Sequence, residues 1–329
     1  MERIWRGGGL RERLLRALLV PLSWLYGIGW RFYLLIYRLG IKKPYFPKVL
    51  TICVGNGVVG GSGKSPFVAY LVGKLRENGQ KVVISCSGYG SPAQEAAEIA
   101  PDGPLDPARW GDEPSMFREQ FPDIPLVVGR RRVLAAQLVA KQHPEAVLLM
   151  DDGLQHLPIR PTIRIALDDP NATNRLCLPA GPYREPVACL NRFDLMIPGK
   201  FKVETSDMWI STPGSIDVRI EPRGLSADVL CAIGQPEKFI AGLQSMGVLI
   251  NSESVLVDHD PLSGINLLQA FSPERPILVT QKDWVKLRKR EDAAKYQFLI
   301  VRHNVRPQPE EEFLAWLHQQ LHEIQTKTA

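Results

Sequence analysis

Paired cysteines are missing from this chain. Its five, Cys53, Cys86, Cys177, Cys189 and Cys231, are odd in number and scattered, with no Cys-x-x-Cys pair. That excludes a disulfide framework and a zinc ribbon and fits a reducing compartment, with each thiol serving as a small apolar side chain. A long hydrophobic run is missing from the N-terminal segment too. Its uncharged stretch, residues 17–30, has 14 residues and contains Pro21, Gly27 and Gly29, whereas a span needs ~20 apolar residues. No small-residue cleavage site follows, so a signal peptide is not expected. Internal repeats and low-complexity tracts are absent. Basic charge is scarce in the body of the chain. Residues 1–43 hold nine basic residues against Glu2 and Glu12, a net +7, and the whole chain is only +5, so the remainder is −2. A generic nucleic-acid binder spreads basic charge over its folded domains, so that class is excluded.

What is present is ordinary globular material: 329 residues, 45% hydrophobic and 23% charged, suited to two domains or one large one. In the N-terminal segment, Trp24, Tyr26 and Trp30 are interleaved with apolar residues, and Arg16 and Arg31 lie at the ends. Aromatic rings prefer the headgroup level and arginines favour anionic lipid. The segment is expected to be a monotopic interfacial helix or shallow insertion, with a buried amphipathic helix and a true span as alternatives.

Beyond residue 43, short buried strands are expected at 49–54, 81–85, 125–128, 146–150 and 162–167, with helices at 66–78, 113–120 and 131–142 between them. Strands alternating with helices imply a parallel sheet covered on its faces. The same rhythm resumes near residue 227, after a Pro- and Gly-containing stretch, and an amphipathic helix closes the chain. The expected division is a membrane-associated helix over 1–43, a phosphate-loop domain over 44–200, a linker or hairpin over 201–226 and a smaller α/β domain over 227–329.

The stretch "GNGVVGGSGKSP", residues 55–66, follows a Val- and Ile-rich strand and opens a helix. Glycine amides can surround phosphate oxygens, and a helix start adds its positive end. Gly60, Gly61, Ser62, Gly63, Lys64 and Ser65 are the expected nucleotide cradle, with Lys64 on the β- and γ-phosphates and Ser65 on magnesium. The strict pattern wants a glycine where Val58 stands. A magnesium nucleotide also needs a carboxylate at a neighbouring strand end, and "AVLLMDDGLQH" supplies Asp151 and Asp152. "WGDEPSMF" places Asp112 and Glu113 before a helix, where an N-cap role competes with a catalytic one. "VDHDP" sets His259 between Asp258 and Asp260 after a strand, where α/β sites form.

Together these pieces resemble the tetraacyldisaccharide 4'-kinases of lipid A biosynthesis. The matching stretches are "VGNGVVGGSGKSP", "SGYG", "GDEP", "DDGLQH", "PAGPYREP", "DHD" and "TQKDWVKL", in the family's order over about residues 15–290. The resemblance implies a two-domain P-loop-like α/β enzyme with a membrane-contacting N-terminal helix. It implies transfer of phosphate from ATP, with Mg²⁺, to the 4'-hydroxyl of a disaccharide lipid at the cytoplasmic face of the inner membrane, and a monomer. It implies that Lys64 and Ser65 hold phosphate and metal, that Asp152 and Glu113 serve the metal with Asp151 nearby, and that Asp112 is the base tuned by His259. Arg131, Arg184, Gln155 and His156 are weaker candidates for substrate contacts. The sequence departs from the family in two places: Cys86-Ser87 stands where the family commonly has Ser-Arg, and Gln281 where it has Glu. The main rival is a membrane-associated regulatory ATPase of the partitioning or targeting type. Such proteins carry a lysine where Val59 stands, and have no need of "GDEP" with a distant histidine.

Overall fold

The computed structural model describes all residues except 1–3, 6, 8, 61–62, 170–171, 216–217 and 329. Seven strands form the first sheet: β1 (Thr51–Asn56), β2 (Val82–Cys86), β3 (Glu98–Ile99), β4 (Leu126–Val128), β5 (Val147–Asp151), β6 (Ile163–Leu167) and β7 (Leu195–Ile197). Their order is β3-β4-β2-β5-β1-β6-β7, and every pairing is parallel except that of the edge strand β3. A parallel sheet is covered on both faces, and accordingly every residue of β1, β2, β4, β5 and β6 is buried. Alternation sorts them: Ile52 and Val54 join one core with Phe67, Leu71 and Phe117, while Cys53 joins the other with Ala135, Ala136 and Val139.

Helix α1 (Leu10–Arg38) runs through Pro21 without a break. By length and composition alone it could cross a membrane. One side of it is hooked to the body. Ser23 Oγ donates to Cys177 O at 2.7 Å and accepts from Ala180 N at 2.8 Å. Tyr26 Oη donates to Arg184 O at 2.6 Å, and Trp30 Nε1 to Glu185 Oε2 at 3.2 Å. Leu14, Leu18, Leu25, Ile28 and Phe32, at helical spacing on another side, are exposed. The helices on the first sheet are α2 (Lys64–Glu77), α3 (Asp112–Gln120) and α4 (Arg132–Gln142).

The second sheet has the order β10-β9-β11-β12-β8, built from β8 (Lys202–Ser211), β9 (Ser226–Cys231), β10 (Leu249–Val255), β11 (Ile277–Thr280) and β12 (Phe298–Gln308), with α5 (Pro236–Ser245) and α6 (Gln281–Leu287). Two features differ from the sequence expectation. Part of the stretch assigned to a linker or hairpin is β8, an antiparallel edge strand on β12. Ile220 N returns to Ile210 O at 2.8 Å beside it. The closing helix α7 (Glu310–Thr328), grouped above with the smaller domain, sends Phe313 and Leu317 into the first sheet's core. Phe313 is fully buried, with ring centroids 5.8 Å from Phe67 and 5.5 Å from Phe201. Burying such a ring stabilises by roughly 1.5–3 kcal/mol.

Candidate active site

The phosphate loop follows β1, and its geometry explains the missing glycine. Val58 is buried and bridges to Tyr183. Val59 N donates to Pro182 O at 2.8 Å and Arg184 N to Gly57 O at 2.7 Å. The loop's first half is therefore pinned to the "AGPYREP" segment like a strand, which suits valine. Left-handed backbone falls instead on Gly60 (φ 106°) and Gly63 (φ 75°), where glycine is favoured. Gly61 and Ser62 lie outside the described residues. Lys64 and Ser65 open α2.

Strand β5 is hydrogen-bonded to β1, with Asp151 level with Val54, so the aspartates end beside the loop. Ser65 Oγ donates to Asp151 Oδ2 at 3.2 Å. Asp151 is fully buried, and its Oδ1 has no hydrogen-bond partner. Burial, then the charge of Glu113, pushes its carboxyl up to about 7 against the pull of Lys64. A buried carboxylate with a free oxygen beside a serine hydroxyl and near a second carboxylate is a hard-oxygen donor set that suits Mg²⁺. Asp152 has a left-handed backbone (φ 54°) and accepts from Arg184 Nη1 with both oxygens at 2.8 Å. Burial would raise Asp152, but Lys64, Arg184 and Arg132 outweigh it and hold the carboxyl below its usual range. So Asp151 makes the serine contact and Asp152 makes the arginine pair.

Gln155 Nε2 donates to Asn56 O at 3.0 Å and to the buried Glu185 at 2.8 Å, which ties the "DDGLQH" turn to the strand before the loop. His156 is half-buried, and burial, then Arg132 and Arg130, lowers its pKa. Arg132 is an unanticipated clamp. It is buried and donates to Ser85 Oγ at 3.1 Å, to Asp152 O at 2.6 Å and to Asp151 O. Arg131 is exposed; Arg130, not Arg131, lines the cleft.

That cleft, about 2560 Å³, lies between the two sheets. Gly60, Lys64, Ser65, Glu113, Asp152 and Arg184 line it from the first unit, and Asp258, His259 and Lys282 from the second. Asp112 starts α3, and its Oδ2 lies 3.6 Å from His259 Nδ1 and 3.8 Å from Lys286 Nζ. His259, like Asp152, holds a left-handed conformation (φ 64°), a strain found most often at functional sites. The segment "TQKDWVKL" contains α6, which packs on α3 and brings both lysines. Gln281 Nε2 donates to Met116 O of α3 at 3.4 Å, a donation that glutamate could not make. Ser87, at the other departure, lines the cleft, and its Oγ accepts from Tyr89 N at 3.3 Å.

The family model described as "Tetraacyldisaccharide-1-P 4'-kinase" matches residues 15–322. The chain belongs to this family. A tetraacyldisaccharide 4'-kinase of Halorhodospira halophila is 36% identical over 305 residues, covering 90% of each chain. One of Azoarcus sp. is 35% identical over 300 residues, covering 86% of this chain and 85% of its own. A crystal structure of LpxK from Aquifex aeolicus in complex with ATP superposes with a TM-score of 0.79 at 24% identity, covering 93% of this chain and 99% of that one; the two share the fold. Membership of the tetraacyldisaccharide 4'-kinase family makes the chain a kinase of lipid A biosynthesis and disfavours the partitioning-type ATPase.

Sequence reasoning missed Arg132, Glu185, Lys282 and Lys286. A run of three arginines reads as a solvated face, and nothing in residues 130–132 says that one of them turns inward. The lysines lay inside a stretch already singled out, and a spacing of four on a helix was the available clue that both share a face.

Proposed function

We propose that this kinase transfers the γ-phosphate of ATP to the 4'-hydroxyl of a tetraacyldisaccharide 1-phosphate, at the cytoplasmic face of the inner membrane, as a monomer. In this reading the amides from Gly60 to Ser65, Lys64 and the start of α2 receive the triphosphate. Ser65, Asp151 and Glu113 hold Mg²⁺, and Asp152 is kept ionised nearby by Arg184. When bound, the metal neutralises phosphate charge. Asp112 takes the proton of the acceptor hydroxyl as its oxygen bonds to phosphorus and the bond to the departing ADP oxygen breaks. The alcohol's pKa is far above 7, so a positioned proton acceptor is useful. Arg184, Gln155 and His156 shape the wall where substrate enters, and Arg130 takes the place proposed above for Arg131. The observation that carries this reading is the Ser65–Asp151 contact and the His259–Asp112 pair, drawn from opposite units around one cleft.

The test is ADP release by purified protein with Mg-ATP, with and without the disaccharide lipid. Release that depends on the lipid and matches phosphorylated lipid mole for mole is expected. Release indifferent to lipid would favour the ATPase reading.

The exposed apolar stripe of α1 and the +7 segment around it support a helix lying in the headgroup region, where each basic side chain adds ~1 kcal/mol. The double substitution Leu18→Asp and Leu25→Asp is expected to move the protein from the membrane pellet to the soluble fraction at moderate salt. Activity on detergent-dispersed acceptor should persist, because the buried side of α1 is untouched. Retention in the pellet would count against the helix as the anchor.

A further inference from the structure

The charges around His259 are arranged so that its two ring nitrogens meet different partners. Nδ1 faces Asp112 Oδ2 at 3.6 Å. Nε2 lies 3.1 Å from Lys282 Nζ and 3.8 Å from Asp258 Oδ2. Lys282 Nζ is itself 3.4 Å from Asp258 Oδ1, so the ammonium stands between that carboxylate and the ring. Tyr89 meets the imidazole edge-on, with centroids 5.9 Å apart. One turn further along α6, Lys286 lies 3.8 Å from Asp112 Oδ2 and 3.1 Å from Asp283 Oδ1, and donates to Asp260 O at 2.8 Å.

A neutral imidazole has one N–H and one lone pair, and the partner of one nitrogen decides the role of the other. An ammonium has only donors. Lys282 beside Nε2 therefore requires the lone pair there and leaves the N–H on Nδ1, directed at Asp112. Without Lys282, Nε2 would face the Asp258 carboxylate, an acceptor that draws the N–H to the wrong side. The ring would then present a lone pair to Asp112, and the two would repel.

We propose that Lys282 is a positioning residue that fixes His259 as its Nδ1–H tautomer, so that Asp112 is held through Oδ2 with its other oxygen free for the acceptor hydroxyl. Lys282 acts through His259 and Asp258 and takes no proton itself. The proposal rests on the reading of Asp112 as the proton acceptor, and its test separates the two.

The experiment is nitrogen-15 NMR of full-length protein labelled at its six histidines, at about pH 8.5, where an ordinary imidazole is neutral. His259 is identified by the signals lost in His259→Gln. The wild type is expected to carry its proton on Nδ1, Lys282→Met to move it to Nε2, and Lys282→Arg to restore Nδ1–H. In parallel, Lys282→Met is expected to lower kcat about 10–100-fold with an unchanged KM for ATP, and Lys282→Arg to recover most of the rate. A wild-type ring protonated at Nε2, or a Lys282→Met ring that keeps its proton on Nδ1, overturns the proposal. So does a raised KM for ATP with the tautomer unaltered, which would make Lys282 a nucleotide contact. The wild-type spectrum alone tests the tautomer should the methionine variant misfold. If Asp112 is not the proton acceptor, Asp112→Asn stays active while the tautomer result stands, so the two ideas fail separately.

Discussion

Lys64→Ala is expected to slow phosphotransfer by ~10³-fold or more, about 4 kcal/mol of lost transition-state stabilisation. Lys64 opens α2 and lines the cleft beside Ser65 and Asp152. Its charge does two jobs there. It meets the oxygens of the phosphoryl group in flight, and it offsets the two aspartates, since Lys64 opposes the rise of Asp151 and helps hold Asp152 down. Alanine would leave a triphosphate facing uncompensated carboxylates, so nucleotide affinity should weaken along with the rate. Lys64→Arg keeps the charge but exchanges a compact ammonium for a planar fork, and should remain impaired. Steady-state rates with nucleotide-binding titrations check this. A wild-type rate in Lys64→Ala would remove the loop from the chemistry.

Asp112→Asn should lower kcat about 10²–10⁴-fold, the usual worth of general-base assistance, while ATP binding stays close to wild type. The reason lies in its partners. Asp112 meets His259 and Lys286, both from the second unit, whereas Lys64 and Ser65 belong to the first. Asparagine keeps the shape of the carboxylate and removes its ability to take a proton. The comparison of kcat with the KM for ATP decides the matter: a proportionate rise in KM would make Asp112 a binding group, and an unchanged kcat would eliminate it as proton acceptor.

The parts of this site legible in the sequence are those written locally. A Val- and Ile-rich strand, a glycine loop, Gly-Lys-Ser and a helix fix β1 and α2, and an apolar strand ending in two aspartates announces β5. Strand adjacency does the rest, since the pairing of β1 with β5 brings Ser65 to Asp151 across 86 residues of chain. What was hidden depends on partners chosen by tertiary packing. Asp151 and Asp152 are neighbours with the same chemistry, and only the approach of Arg184 from 32 residues away separates their roles. The amphipathic pattern of α7 gave its buried face but not its destination, the first sheet's core. Val58 looked like a defect in the loop until the strand-like bridge to Tyr183 appeared.

The most direct measurement of the central claim is the site and number of phosphates on the glycolipid after reaction. Protein, Mg-ATP labelled in its γ-phosphate and a tetraacyldisaccharide 1-phosphate are incubated, and the lipid is examined by mass spectrometry and phosphorus-31 NMR. The account predicts one new labelled phosphomonoester per ADP formed, on the 4'-oxygen. Label appearing only as free phosphate, or on a different hydroxyl, would contradict it.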